Sequence, residues 1–304
     1  MTADTIAPPA DITFDNTVPR ALVDRGDTTT VLITSWVKTP TSITAGAVWP
    51  RLGGYYTLLD HQRHDPLLVL ETFRQCALLL AHVVDDVPLA TMQILRAAHY
   101  TADPEGLRIT DRPTEVVVTI DSGRIEPLGH AILQTSMDCR LFRDGRLVAS
   151  GGGRVIVPPN DRYLKVRGRD PQEVKMPAAA PEASVPPASV GRALRRDVVI
   201  APGSRPGAYL LHIDAAHANF FDNPTDHTPG MLLTEAMRQA VVAESGDPYF
   251  APMSLAVRFH RFVELDQPGE VLVRRTGQGF HTEVRQAGKL AAHADWPTTG
   301  HADG

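Results

Sequence analysis

Apolar residues fall into two kinds of run along the chain. From Pro66 to Val84, and again from Pro229 to Ala243, they are nearly continuous, with the Glu, Arg and Gln as interruptions. This predicts two helices that are apolar almost all round and therefore buried. Pro66 and Pro229 stand where a first helical turn accepts proline. Pro88 lies beyond the first run, and Gly246 and Pro248 lie beyond the second, as helix stops. The other runs alternate apolar and polar residues or are rich in Val and Ile. Thr114–Asp121, Gly129–Arg143 and Arg146–Val157 follow the first helix; Met253–Glu264, Gly269–Thr276, Phe280–Arg285 and Lys289–Trp296 follow the second. These predict strands, with Asp144-Gly145 as a hairpin turn. Shorter strands are expected ahead of the helices at Thr30–Val37, Val198–Ala201 and Tyr209–Asp214. One buried helix followed by an antiparallel meander, occurring twice, predicts an α+β fold with a sheet wrapped round each helix.

The two helices resemble each other in sequence. Leu68, Glu71, Arg74 and Gln75 recur as Leu232, Glu235, Arg238 and Gln239, at a constant offset of 164 residues. Midway lies Met176–Gly191, with Pro177, Pro181, Pro186 and Pro187, which denies both helix and central strand. A linker between duplicated halves is the reading adopted, and a surface loop inside one domain is its alternative. The expected organisation is an N-terminal tail over 1–17, a first domain over 18–170, a linker over 171–191 and a second domain over 192–304.

Composition narrows the function classes. A net charge of −5 argues against a dedicated nucleic-acid binder, because phosphate neutralisation needs a basic face. Cys76 and Cys139 have no metal-ligand or disulfide-framework spacing, consistent with a reducing compartment. The opening MTADTIAPPA lacks a basic and then apolar leader, and no apolar run approaches the roughly 20 residues of a membrane span. A cytoplasmic protein without a membrane partner is expected.

The segment His217–Gln239 carries the chemistry. Asp226 and His227 stand just before a helix start whose unpaired N–H groups and positive dipole end can polarise a carbonyl. Gly230 lets a ligand approach the backbone there. His227 can serve as general acid or base near neutral pH, or can simply cap the helix. Asp226 is equally suited to N-cap duty and to catalysis. Glu235 falls inside the helix, where desolvation is expected to raise its pKa and make it a better base. Glu71 with Arg74, and Glu235 with Arg238, lie three apart on one helix face. They form buried ion pairs, or the arginines grip a substrate phosphate or carboxylate. His212 and His217 make a poor metal pair, and no metal is expected. Ser150–Arg154, with its three glycines, reads as a strand bulge, and Gly277-Gln278-Gly279 is too short for a dinucleotide. Cys76 reads as packing rather than as an acyl-accepting nucleophile. Arg192, Arg195 and Arg196 are a candidate dock for an acidic carrier protein, or a solvated cluster.

The run Asp226-His227-Thr228-Pro229-Gly230-Met231-Leu232, followed by Glu235-Ala236-Met237-Arg238-Gln239-Ala240, resembles the A-factor biosynthesis hotdog family of AfsA-type γ-butyrolactone synthases. So do His64-Asp65-Pro66-Leu67-Leu68 with Glu71-Thr72-Phe73-Arg74-Gln75, and the later Arg258-Phe259-His260-Arg261-Phe262. The resemblance runs from about Val18 to Trp296 and implies a double hotdog fold. It implies transfer of a β-ketoacyl group from a carrier-protein or coenzyme A thioester to the hydroxyl of dihydroxyacetone phosphate or a similar acceptor. The catalytic set expected is Glu235, His227, Asp226 and Glu71, with Gly230, Arg238, Arg74, His217 and His64 binding substrate. The only cofactor-like group is then the phosphopantetheine or coenzyme A that the substrate carries. Dehydration or hydrolysis of an acyl thioester, and non-catalytic binding of one, are the alternatives. Asp24-Arg25 stands where the family often has His-Arg, and the loop Pro50–Tyr56 lacks a family histidine, so an altered or a silent first pocket, and a different acyl acceptor, are open. The halves are expected to pair as an intrachain pseudo-dimer, with a homodimer also open.

Overall fold

The computed structural model describes residues 5–7, 9–51, 55–89, 91–123, 126–127, 133–168, 185–223 and 225–298. The chain divides into two compact units after Arg167, with Leu58–Asp60 grouped with the second. In the first unit the elements run β1 (Ile33–Lys38), β2 (Ser42–Trp49), α1 (Leu67–Val83), β3 (Ile94–Ala102), β4 (Thr114–Ser122), the two-residue β5 (Glu126–Pro127), β6 (Leu133–Arg143), β7 (Arg146–Val157) and α2 (Asn160–Arg167). The strands pair antiparallel in the order β1-β2-β4-β6-β7-β3, with β5 on β6. The second unit contains β8 (Ile200–Pro202), β9 (Ala208–Leu211), α3 (Gly230–Ser245), β10 (Ser254–Phe259), β11 (Gly269–Thr276), β12 (Gly279–Gln286) and β13 (Lys289–Pro297). Its order is β8-β9-β11-β12-β13-β10, again antiparallel throughout. Leaving β5 aside, both sheets place their strands as first, second, fourth, fifth, sixth, third. In both, the long helix follows the second strand and packs on the sheet.

The repeat extends upstream of the helices. Short 3-10 turns at Arg20–Val23 and Thr28–Thr30 recur as Pro187–Val190 and Arg195–Asp197, 167 residues later in each case. Asp24 and Gly191, which close the first turn of each pair, both adopt left-handed backbone conformations. Pro177 and Pro181 of the expected linker lie outside the described residues. Pro186 and Pro187 instead start a turn whose Val190 is completely buried, so this end of the segment belongs to the second unit.

The helices form where the apolar runs predicted them, and both are buried from their first turn onward. α3 stops at Gly246, whose φ of 72° is the left-handed helix cap. The Asp144-Gly145 hairpin joins β6 to β7, with φ of 49° and 77°, the torsions of a two-residue primed turn. The expected strand over Met253–Glu264 is shorter, because the N–H groups of His260 and Arg261 both turn to the Ala291 carbonyl and end the ladder. The first four residues of the Gly129–Arg143 strand lie outside the described residues. β2, β3, the two-residue β5 and α2 were not anticipated.

The three glycines of Ser150–Arg154 are not a bulge. Gly151, Gly152 and Gly153 pair in unbroken register with Tyr100, His99 and Ala98 on one side and Cys139, Asp138 and Met137 on the other. The register shifts lie instead at Leu95/Ala97 and Leu141/Phe142. A Cβ on Gly152 would stand 2.1 Å from the Met137 carbonyl oxygen, so glycine here permits close strand approach. Gly277-Gln278 forms part of the β11–β12 turn. No described helix is long and apolar enough to cross a membrane.

Candidate active site

Each long helix buries one carboxylate under two guanidinium groups. In α3, Glu235 is 0 % exposed. Arg192 donates to it through Nε and Nη2 at 2.9 and 2.8 Å, Arg238 through Nε and Nη2 at 2.7 and 2.8 Å, and Gln239 through Nε2 at 2.6 Å. Gln239 extends the network, accepting from the Val199 N–H at 2.9 Å and donating to the Asp197 carbonyl at 2.8 Å. In α1, Glu71 accepts from Arg25, from Arg74 Nε and Nη2 at 2.9 and 3.1 Å, and from Gln75 at 2.8 Å. Gln75 in turn accepts from the Leu32 N–H at 2.9 Å and donates to the Thr30 carbonyl at 3.0 Å. The partners ahead of the helices, Arg25, Thr30 and Leu32, recur as Arg192, Asp197 and Val199, 167 residues on.

This network corrects the expected chemistry of Glu235. Burial alone would raise its carboxyl, but the charges of Arg192 and Arg238 outweigh that and hold it well below the usual carboxylate range, at about 2. A carboxylate so stabilised is a weak base at neutral pH. Glu71 is placed likewise, its burial outweighed by Arg25 and Arg74. The ion-pair alternative therefore describes both helix-borne arginines, and Arg74 and Arg238 spend their forks on a carboxylate of their own helix. Arg192 is buried in this network and so leaves the candidate carrier-docking cluster. Its partner role, and that of Arg25, escaped the sequence reading. A single constant offset hides them, because they sit at 167 and the helices at 164.

The start of α3 is a different environment. Asp226 Oδ1 lies 2.7 Å from His227 Nδ1, with the aspartate side chain fully buried and the imidazole 19 % exposed. Phe262 packs edge-on against that ring at 4.7 Å. An ionised aspartate selects the tautomer with the proton on Nδ1, leaving Nε2 as an acceptor without a partner among the described residues. Asp226 is thus an orienting partner of His227, not the helix cap; Pro229 occupies the cap position, without a side-chain capping bond. The N–H of Leu233 bonds to the Pro229 carbonyl at 3.1 Å, and those of Gly230, Met231 and Leu232 have no hydrogen-bond partner among the described residues.

The start of α1 has no such vacancy. Asp65 Oδ1 accepts from the Leu67 N–H at 2.9 Å, the Asp65 carbonyl from Leu68 at 2.8 Å and the Pro66 carbonyl from Val69 at 3.0 Å. His64 is 1 % exposed, with Nε2 3.2 Å from Thr114 Oγ1 and its ring edge-on to Trp49 at 5.3 Å. Burial, with the charge of Arg143, pushes its pKa down to about 4. His64 is therefore a neutral, packed side chain. His217 is also buried, its ring tilted against Phe220 with centroids 4.7 Å apart, and its Nε2 lies 3.8 Å from Asp197 Oδ1. Burial lowers its pKa against the pull of Asp197. Through Asp197 it joins the Glu235 network. Cys76 is buried in α1, and burial pushes its thiol up, away from the thiolate that a nucleophile requires.

The A-factor biosynthesis hotdog domain matches this chain twice, over residues 6–158 and 175–299. A Streptomyces virginiae protein named 2-oxo-3-(phosphooxy)propyl 3-oxoalkanoate synthase is 33 % identical over 255 residues, covering 83 % of this chain and 85 % of its own. A protein of the same name from Streptomyces coelicolor is 32 % identical over 291 residues, covering 94 % of this chain and 88 % of its own. One from Streptomyces griseus is 33 % identical over 223 residues, covering 73 % of each chain. With both halves matched and identity above 30 % across most of its length, this chain belongs to the A-factor biosynthesis hotdog family.

Proposed function

We propose that this chain transfers a 3-oxoacyl group from a coenzyme A or carrier-protein thioester to the hydroxyl of dihydroxyacetone phosphate, and that the second unit performs the reaction. The observation that carries this reading is the concurrence, at one helix start, of three open N–H donors and an aspartate-held histidine with its Nε2 open. The relatives named above make an ester of this kind, by their names. In the proposed reaction His227 Nε2 accepts the proton of the acceptor hydroxyl as its oxygen attacks the thioester carbonyl carbon. The carbonyl oxygen gains negative charge next to the N–H groups of Gly230, Met231 and Leu232 and the positive end of α3. Collapse restores the carbonyl and breaks the carbon–sulfur bond, and the departing thiolate takes the proton from His227. Buried Asp226 stabilises the imidazolium in between. Glu235 with Arg238, and Glu71 with Arg74, act in this scheme as structural ties between each helix and the turns before it. No metal or resident cofactor enters the scheme.

Product analysis distinguishes the reaction classes. The protein is incubated with 3-oxoacyl and 3-hydroxyacyl thioesters, with and without dihydroxyacetone phosphate, and products are followed by mass spectrometry. The proposal expects the phosphorylated ester, formed only when 3-oxoacyl donor and acceptor are both present. Free acid formed at the same rate without acceptor would make the protein a thioesterase. Enoyl product from the 3-hydroxyacyl donor would make it a dehydratase, and thioester binding without any product would make it a binding module.

A further inference from the structure

Thr228, between His227 and the helix, is 1 % exposed, and its hydroxyl has no hydrogen-bond partner among the described residues. Its own N–H is committed to the Val263 carbonyl at 2.8 Å. A buried hydroxyl left unpaired costs stability, whereas valine would fill the same space without that penalty. The first unit provides an internal control. The residue 164 positions earlier is His64, whose Nε2 lies within 3.2 Å of Thr114 Oγ1, and the N–H groups at the start of α1 are filled as well. The unused hydroxyl thus lies two residues ahead of Gly230, the first of the unused helix donors in the chain. That coincidence points to a ligand rather than to a packing defect.

The chemistry of the acyl donor supplies a partner. A 3-oxoacyl thioester carries a second carbonyl oxygen, two carbons from the first, which can only accept hydrogen bonds. We infer that the Thr228 hydroxyl donates to this 3-oxo oxygen while the α3 N–H groups hold the thioester oxygen, so that Thr228 selects 3-oxoacyl over saturated chains. The inference rests on the acyl-transfer reading above. A saturated chain presents a methylene group at that place and leaves the hydroxyl unpaired, a difference expected to give about 10–100-fold selectivity.

The test uses the full chain with Thr228→Val and Thr228→Ser. Calorimetry measures binding of unreactive thioether analogues of 3-oxoacyl and saturated acyl-coenzyme A of equal length, alongside transfer rates and thermal melting. The wild type and Thr228→Ser are expected to prefer the 3-oxo analogue by about 10–100-fold. Thr228→Val is expected to lose that preference while melting at the same or a higher temperature. A preference retained in Thr228→Val overturns the inference. So does a melting temperature several degrees lower, since the hydroxyl would then be bonded within the protein. If the wild type binds the analogues yet transfers no acyl group, the transfer reading fails, and the binding ratio still decides the role of Thr228.

Discussion

A carboxylate closed between two guanidinium forks is a poor proton acceptor, and it cannot be neutralised without consequence. Glu235→Gln keeps the shape of the side chain but leaves Arg192 and Arg238 buried with no anion between them. The variant is expected to lose on the order of 3–5 kcal/mol of stability, read as a lowered denaturant midpoint. Its transfer rate per folded molecule is expected to stay within a few-fold of the wild type. A variant of unchanged stability whose rate is lost would restore Glu235 as the base. The sequence displayed Glu235, Arg238 and Gln239 plainly, because three- and four-residue spacings on a helix are local. It could not reveal which of two opposing effects governs the carboxyl, since the deciding cation, Arg192, is 43 residues away. The Asp226–His227 pair was legible for the converse reason, being adjacent in the chain. The vacancy of the Gly230–Leu232 donors was anticipated only in kind, and its counterpart, the filled start of α1, became visible through Asp65.

Elements with one dominant pattern were readable, and those without were not. The two helices and the strands β4, β7 and β11–β13 emerge from long apolar runs or clear alternation. β2, with the sequence SITAGAVW, has Ala-Gly-Ala at its centre, residues that strands disfavour, yet it pairs with β4 over its whole length and with β1 over Ile43–Ala47. Packing against neighbours decides such a strand more than propensity does. The glycine run of β7 misled for a related reason. Glycine often marks a bulge, whereas here it admits the carbonyls of adjacent strands. Gly152→Ala would force a Cβ to 2.1 Å from the Met137 carbonyl oxygen. A destabilisation of about 1–3 kcal/mol is expected from that overpacking, in chemical denaturation. An alanine variant as stable as the wild type would show that β6 and β7 separate easily at this point.

At the scale of the molecule, one topology and one buried-ion network occur twice, while of the two long helices α3 is the one whose Gly230–Leu232 start keeps open donors among the described residues. Duplication was legible in the 164-residue offset. The three-residue change to 167 ahead of the helices, and hence the full extent of the repeat, required the positions of Arg25 and Arg192. The divergence also leaves a pH signature. His64 is neutral when folded, whereas the unfolded chain protonates it below about 6.5. The first unit therefore has its full stability above that pH and loses it progressively down to about 4, by roughly 3 kcal/mol. Glu71 and Glu235 act lower: their contribution is complete above about 4.5 and is lost as pH falls toward about 2, in both units. Urea midpoints measured from pH 8 to pH 4 check the upper phase, which His64→Gln is expected to remove. The assignment of chemistry to the start of α3 is tested most directly by the rate of ester formation in His227→Ala beside His64→Ala, each normalised to folded protein. A loss of about 10²–10⁴ is predicted for His227→Ala, with His64→Ala retaining its rate while losing stability. Equal losses, or a larger loss from His64→Ala, would contradict the account.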